Sequence, residues 1–195
     1  MQLRIALVLW TFAVVLGGCR KQSVEELLSN AEKTYREAVA VEDSIRATGD
    51  IKAFFQPSIE AFQKVAEDYP GTPQAEKALY SIATIRNNDT REPELAIKSY
   101  RKYLAAFPEG NQAPSSLFLI GFIYNNELHN LDSSAVAYRE FLERFPQNEM
   151  ASSARYELDH LGKPMDESIP DTSAPPPATA GKGQKTALRK GSKSL

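Results

Sequence analysis

The chain has 195 residues, a formal net charge of −2, a pI near 5.8 and a single cysteine, which excludes an internal disulfide. The average charge conceals a division: Ser23 to Gly162 holds 14 Lys+Arg against 22 Asp+Glu, a net of −8, whereas Ala174 to Leu195 has five basic residues and no acidic one. A body of that sign argues against nucleic acid as a partner.

The chain opens with Arg4 as its one early basic residue, then twelve uncharged, mostly apolar residues from Ile5 to Leu16, then Gly17-Gly18-Cys19. A helix rising about 1.5 Å per residue needs roughly 20 apolar residues to cross a bilayer. The shorter run, with a basic start and small residues at its end, describes a secretory signal, and export is expected. Leu16-Gly17-Gly18-Cys19 resembles the bacterial lipoprotein lipobox. That resemblance implies removal of residues 1–18, a diacylglyceryl group on the sulfur of Cys19 and acylation of the new amino terminus. Each buried methylene contributes about 0.8 kcal/mol, so two or more acyl chains make a stable anchor where one does not. Residues 19–22 would form the tether, at most roughly 13 Å of extended chain, which keeps whatever follows at the membrane surface. Arg20-Lys21 can lean on anionic headgroups. Arg20 in place of Asp after the lipidated Cys fits the enteric rule for sorting to the outer membrane, periplasmic face.

From Val24, the residues Leu28, Ala31, Tyr35, Ala38 and Ile45 recur at near-heptad spacing up to Gly49, which predicts one long helix. Ile51, Phe54-Phe55, Ile59, Phe62 and Val65 predict its partner, with either a kink at Pro57 or a helix that starts only near it. A repeat then sets in. FQKVAEDYPGTPQAEKALYSIATIRNN begins at Phe62, YRKYLAAFPEGNQAPSSLFLIGFIYNN at Tyr100 and YREFLERFPQNEMASSARYELDHLG at Tyr138, each 38 residues after the last. The same step relates Tyr69, Phe107 and Phe145, then Pro70, Pro108 and Pro146, and also Tyr80, Phe118 and Tyr156. Ala96, Tyr100, Tyr103-Leu104 and Phe107 have helical spacing and stop at Pro108, where proline cannot continue the helix. Leu117, Ile120-Gly121 and Tyr124 mark a second helix, closed by an Asn pair able to take the left-handed conformation.

These units resemble tetratricopeptide repeats, lengthened from the usual 34 residues. The family's Leu-Gly pair falls on Ile82-Ala83 and Ile120-Gly121, and its small residue in the second helix on Ser58, Ala96 and Ser134. Its following aromatic falls on Phe62, Tyr100 and Tyr138, and its closing proline on Pro70, Pro108 and Pro146. Departures are Leu79 or Leu117 at the Trp position and Arg86 where an aromatic is usual; Leu158-Asp159 keeps only part of the pattern, as a terminal capping helix would. The fold implied is all-α, a tetratricopeptide-type solenoid of about three elongated helix pairs plus a closing helix, over residues 23–162. Beyond it, residues 163–195 turn to Pro, Ala, Thr, Ser, Gly and Lys and are expected to be disordered.

No glycine-rich phosphate loop or nucleophile motif is present, so no catalytic residue and no cofactor is expected. His129 and His160 stand 31 apart without a cysteine partner, and no metal site is expected. Carried over position by position, the tetratricopeptide groove falls on Tyr80, Thr84 and Asn87, on Phe118, Phe122 and Asn125, and on Tyr156 and His160. Such a stripe of aromatics and amides would suit an extended peptide. The other reading is that the longer repeats pack these side chains against one another.

A lipid anchor followed at once by elongated tetratricopeptide repeats resembles the outer-membrane barrel-assembly lipoprotein family, the D subunit of that machine, although three repeats stand here where that family has five. The resemblance implies a membrane-tethered periplasmic scaffold for protein partners or unfolded outer-membrane protein clients. The alternative is an envelope-linking protein similar to the Tol-Pal cell-division coordinator. In that reading the basic tail, about 30 Å in root-mean-square reach, holds cell wall or anionic lipid.

Overall fold

Ser23 and Glu26 cap each other at the start of the first helix: the Ser23 N–H donates to the Glu26 carboxylate and the Glu26 N–H to Ser23 Oγ, both at 3.2 Å. This computed structural model describes residues 22–46 and 49–163. The leader, Cys19 and the tail from Pro164 lie outside the described residues, and so do the expectations placed on them.

Among the described residues there are seven α-helices and no strand: α1 (Val24–Arg46), α2 (Ile51–Asp68), α3 (Pro73–Thr84), α4 (Pro93–Ala106), α5 (Ala113–Asn126), α6 (Leu131–Arg144) and α7 (Ala151–Asp159). A π-helical segment, Ile85–Asp89, prolongs α3. Side-chain caps fix several starts. Asp50 Oδ1 accepts from the Lys52 N–H at 3.0 Å, Thr72 Oγ1 from Ala75 at 3.2 Å and Asn130 Oδ1 from Ser133 at 3.0 Å. Each helix packs mainly on the next in sequence, with α1 also touching α3. Among the described residues, those to Leu161 belong to one unit, and Gly162 and Lys163 to a second.

The 38-residue step of the sequence is also a step of the backbone. After α2, α4 and α6 the N–H groups of Tyr69, Phe107 and Phe145 bond back to Val65, Tyr103 and Phe141, and those of Thr72, Gly110 and Asn148 then bond to Tyr69, Phe107 and Phe145. After α3 and α5 a wider closure recurs: Thr90 to Ile85 and Leu128 to Ile123, then Glu92 to Arg86 at 2.8 Å and Asn130 to Tyr124 at 2.7 Å. The residue held left-handed in each closure is Arg91 (φ 51°) or His129 (φ 50°), not the Asn pair. Asn87-Asn88 instead fall within the π segment, and Asn125-Asn126 within the last turn of α5. The left-handed turn is displaced because the helix widens before it ends.

Of the two alternatives for α2, a start only near Pro57 does not hold. The helix starts at Ile51, under the Asp50 cap, and runs through Pro57. A proline there deprives the Ala53 carbonyl of its helical partner. Ala53 and Pro57 are both exposed, so water can satisfy that carbonyl.

The core follows the apolar pattern from α2 onward, but on α1 it buries Leu27, which the expected stripe lacks, and leaves Val24, Leu28 and Tyr35 only partly buried. Leu27, Ala31 and Ala38 of α1 meet Phe55, Ile59, Phe62 and Val65 of α2 and Ile82 and Ile85 beyond them, while Phe54 points outward. A second cluster, from α3 to α7, is built on Tyr100, Tyr103, Leu117, Ile120, Tyr138 and Phe141. The small residues Ser58, Ala96 and Ser134 are fully buried where helices cross. Ser134 Oγ donates to the Gly121 carbonyl at 2.9 Å, tying α6 to α5.

Candidate functional site

The eight groove residues lie on α3, the π segment, α5, α7 and the residue after α7. Tyr80 and Phe118, one repeat apart, are held alike. Tyr80 meets Tyr100 and Tyr103 with ring centroids 6.0 and 5.8 Å apart. Phe118 meets the equivalent Tyr138 and Phe141 at 5.4 and 6.1 Å. Each is half-buried and packs on the helix that follows. Among the described residues no ring contact joins Tyr80 to Phe118 or Phe118 to Tyr156.

Thr84 donates its hydroxyl to the Tyr80 carbonyl at 3.0 Å. Tyr80 and Thr84 also line a cleft of about 190 Å³ with Tyr35, Phe62, Ser81 and Ile85, drawn from α1, α2 and the end of α3. Burial raises the phenol pKa of Tyr80, and burial together with the neighbouring Asp89 carboxylate raises that of Tyr35, so both stand there as neutral hydrogen-bonding groups. Tyr35 enters this cleft unannounced, since in the sequence it is only one apolar member of the α1 stripe.

Asn87 and Asn125, equivalent in sequence, are placed differently. Asn87 donates to Asn88 Oδ1 at 2.8 Å from within the π segment, leaving its own buried Oδ1 without a partner, whereas Asn125 is half-buried on regular helix. Phe122 and Tyr156 are the exposed members of the set, at 40% and 46%. Tyr156 stacks on His160 with centroids 4.1 Å apart, and the His160 ring Nδ1 lies 2.8 Å from the Tyr156 carbonyl. The set therefore forms three local clusters, one per odd-numbered helix.

No known family model and no curated protein matches this chain. The set thus brings together two half-buried rings, two exposed ones and, beside Tyr80, an apolar cleft with a second neutral phenol, Tyr35. Among the described residues no three His, Cys, Asp or Glu side chains gather as metal ligands.

Between α2, α3 and α4 lies a second, larger concavity of about 530 Å³, lined by Leu79, Ile82, Leu95 and a group of cations that include Arg86. Its one sequence signal is Arg86 itself, a cation where the repeat pattern has an aromatic.

Proposed function

We propose that this chain is a membrane-tethered periplasmic scaffold with a tetratricopeptide-type solenoid, which binds partner proteins or extended clients during outer-membrane protein assembly. The observation that carries the reading is the recurrence of one half-buried aromatic at Tyr80 and Phe118, beside the exposed Phe122 and Tyr156, on odd-numbered helices related by the 38-residue step. An extended segment can bury apolar side chains against such rings while amides such as Asn125 meet its backbone. The tether rests on the lipobox-like Leu16-Gly17-Gly18-Cys19. The start of α1 at Val24 supports a short link between lipid and helices.

Photo-crosslinking tests the groove. A crosslinkable residue at Phe122 or Tyr156 should capture unfolded barrel-protein segments, and one at the exposed Lys33 of α1 should not. Equal capture at all three positions would remove the groove reading.

A further inference from the structure

The gap between α4 and α6 is closed by charge. Arg101 Nη1 lies 2.7 Å from Glu140 Oε2, and Arg144 bonds both to the same carboxylate at 3.1 Å and to the Pro108 carbonyl at 2.9 Å. One repeat earlier, between α2 and α4, the equivalent positions are Gln63, Lys102 and Ala106. The acid has become a base and both arginines are gone, so that gap stands open as the 530 Å³ cleft.

Its floor is apolar. Leu79 and Ile82 are buried beneath it, and Leu95 is 39% exposed at its edge. Its rim is cationic. Lys98 and Lys102 are exposed, and among the described residues no carboxylate bonds to either; Arg86 is half-buried with Nη1 donating to Ser99 Oγ at 2.7 Å. Gln63 is committed to Glu67 at 2.7 Å on the helix side, and Arg101 is occupied by Glu140. Among the described residues no acidic side chain lines the cleft, so its local field has one sign and attracts an anionic group even though the body as a whole carries a net of −8.

We propose that the cleft between α2, α3 and α4 docks an acidic segment of a partner protein. Its carboxylates meet Arg86, Lys98 and Lys102, and an apolar side chain beside them rests on Leu79, Ile82 and Leu95. The apolar floor is what selects a peptide, because a bare phosphate or lipid headgroup needs the cations alone. This surface is separate from the aromatic groove and does not depend on it.

The test is fluorescence anisotropy on the full chain with a labelled peptide built from Asp, Glu and Leu. Binding is expected, weakening as salt is raised. Lys98→Glu/Lys102→Glu should reduce affinity by about tenfold or more. Gln63→Arg/Lys102→Glu copies the Arg101–Glu140 bridge across the cleft and should reduce it likewise while keeping the melting temperature, which separates a closed cleft from a misfolded protein. Phe122→Ala/Tyr156→Ala should leave this binding unchanged, so its outcome stands apart from that of the groove. The proposal fails if a peptide with Lys in place of its acids binds equally, or if the cleft variants bind like wild type. It fails too if the acidic peptide is not bound, including where phosphatidylglycerol vesicles are captured through the same lysines.

Discussion

The ring of Tyr138 lies against the backbone of Gly121 so closely that a Cβ added to the glycine would fall 2.8 Å from Tyr138 Cε1. The glycine is required there by the neighbour's bulk, since its φ is not in the left-handed region. Overpacking costs about 1–3 kcal/mol, against about 0.5–1 kcal/mol that Ala gains over Gly in a helix. The net loss is about 0–2.5 kcal/mol, so Gly121→Ala is expected to lower the melting temperature by up to about 10 °C. The loss should shrink in a Tyr138→Leu background, which calorimetry on the four proteins of that cycle would check.

Two buried tyrosines should respond oppositely to loss of their hydroxyls. Tyr103 donates to Glu76 at 2.8 Å and accepts from the Gln112 N–H at 3.0 Å, while the buried Tyr138 hydroxyl has no partner among the described residues. Tyr103→Phe should therefore cost about 1–3 kcal/mol in urea unfolding, and Tyr138→Phe should be neutral or stabilising. Equal losses in both would contradict the hydrogen-bond assignment.

Alkaline pH should unfold the protein cooperatively. Burial raises the phenol pKa of Tyr100 and Tyr138 well above the ordinary value; burial does the same for Tyr103, reinforced by Glu76. Below about pH 10 these phenols are neutral in both states and the folded form keeps its full stability. Above that the unfolded chain releases its protons first, so stability falls as pH rises towards the raised folded values. The tyrosinate absorbance of a buried phenol, read as the difference between wild type and Tyr100→Phe, should rise together with the loss of far-ultraviolet circular dichroism. A rise in that difference with the helical signal intact would count against it.

Intact mass spectrometry of the membrane fraction tests the anchor. The wild-type chain should lack residues 1–18 and carry two or three acyl chains, and Cys19→Ala should carry none. A free thiol at Cys19 would overturn the tether and the localisation that rests on it.

The helices and their buried faces were legible in the sequence because the apolar period and the proline stops act locally. Tyr100, Tyr138 and Phe62 are as deep as their spacing suggested, and α1 runs as one helix to Arg46. Helix ends were less legible. The choice between Asn87-Asn88 and Arg91 as the turning point is made by backbone bonds six residues long, which no single residue type announces. The alternative of a helix starting only near Pro57 failed for a similar reason, since the cost of the proline depends on whether the orphaned carbonyl faces water. At the candidate groove the sequence offered exposure or mutual packing as alternatives. Tyr80 and Phe118 take an intermediate course, packing on the next helix while staying half-exposed. The cationic cleft was hidden because it depends on what stands opposite Lys102 across a helix gap, not on any motif along the chain.

The bonds that turn the chain after Phe107 are those that turn it after Tyr69 and Phe145. Cut at equivalent points of two such corners, the chain could lose or gain a whole helix pair and meet the same backbone geometry on the other side. A change of one residue within a helix would instead rotate everything beyond it by about 100° and turn its buried face to water. The molecule's length is in this sense quantised: it can grow or shrink by duplication in steps of 38 residues, and binding surfaces can be added or removed a unit at a time.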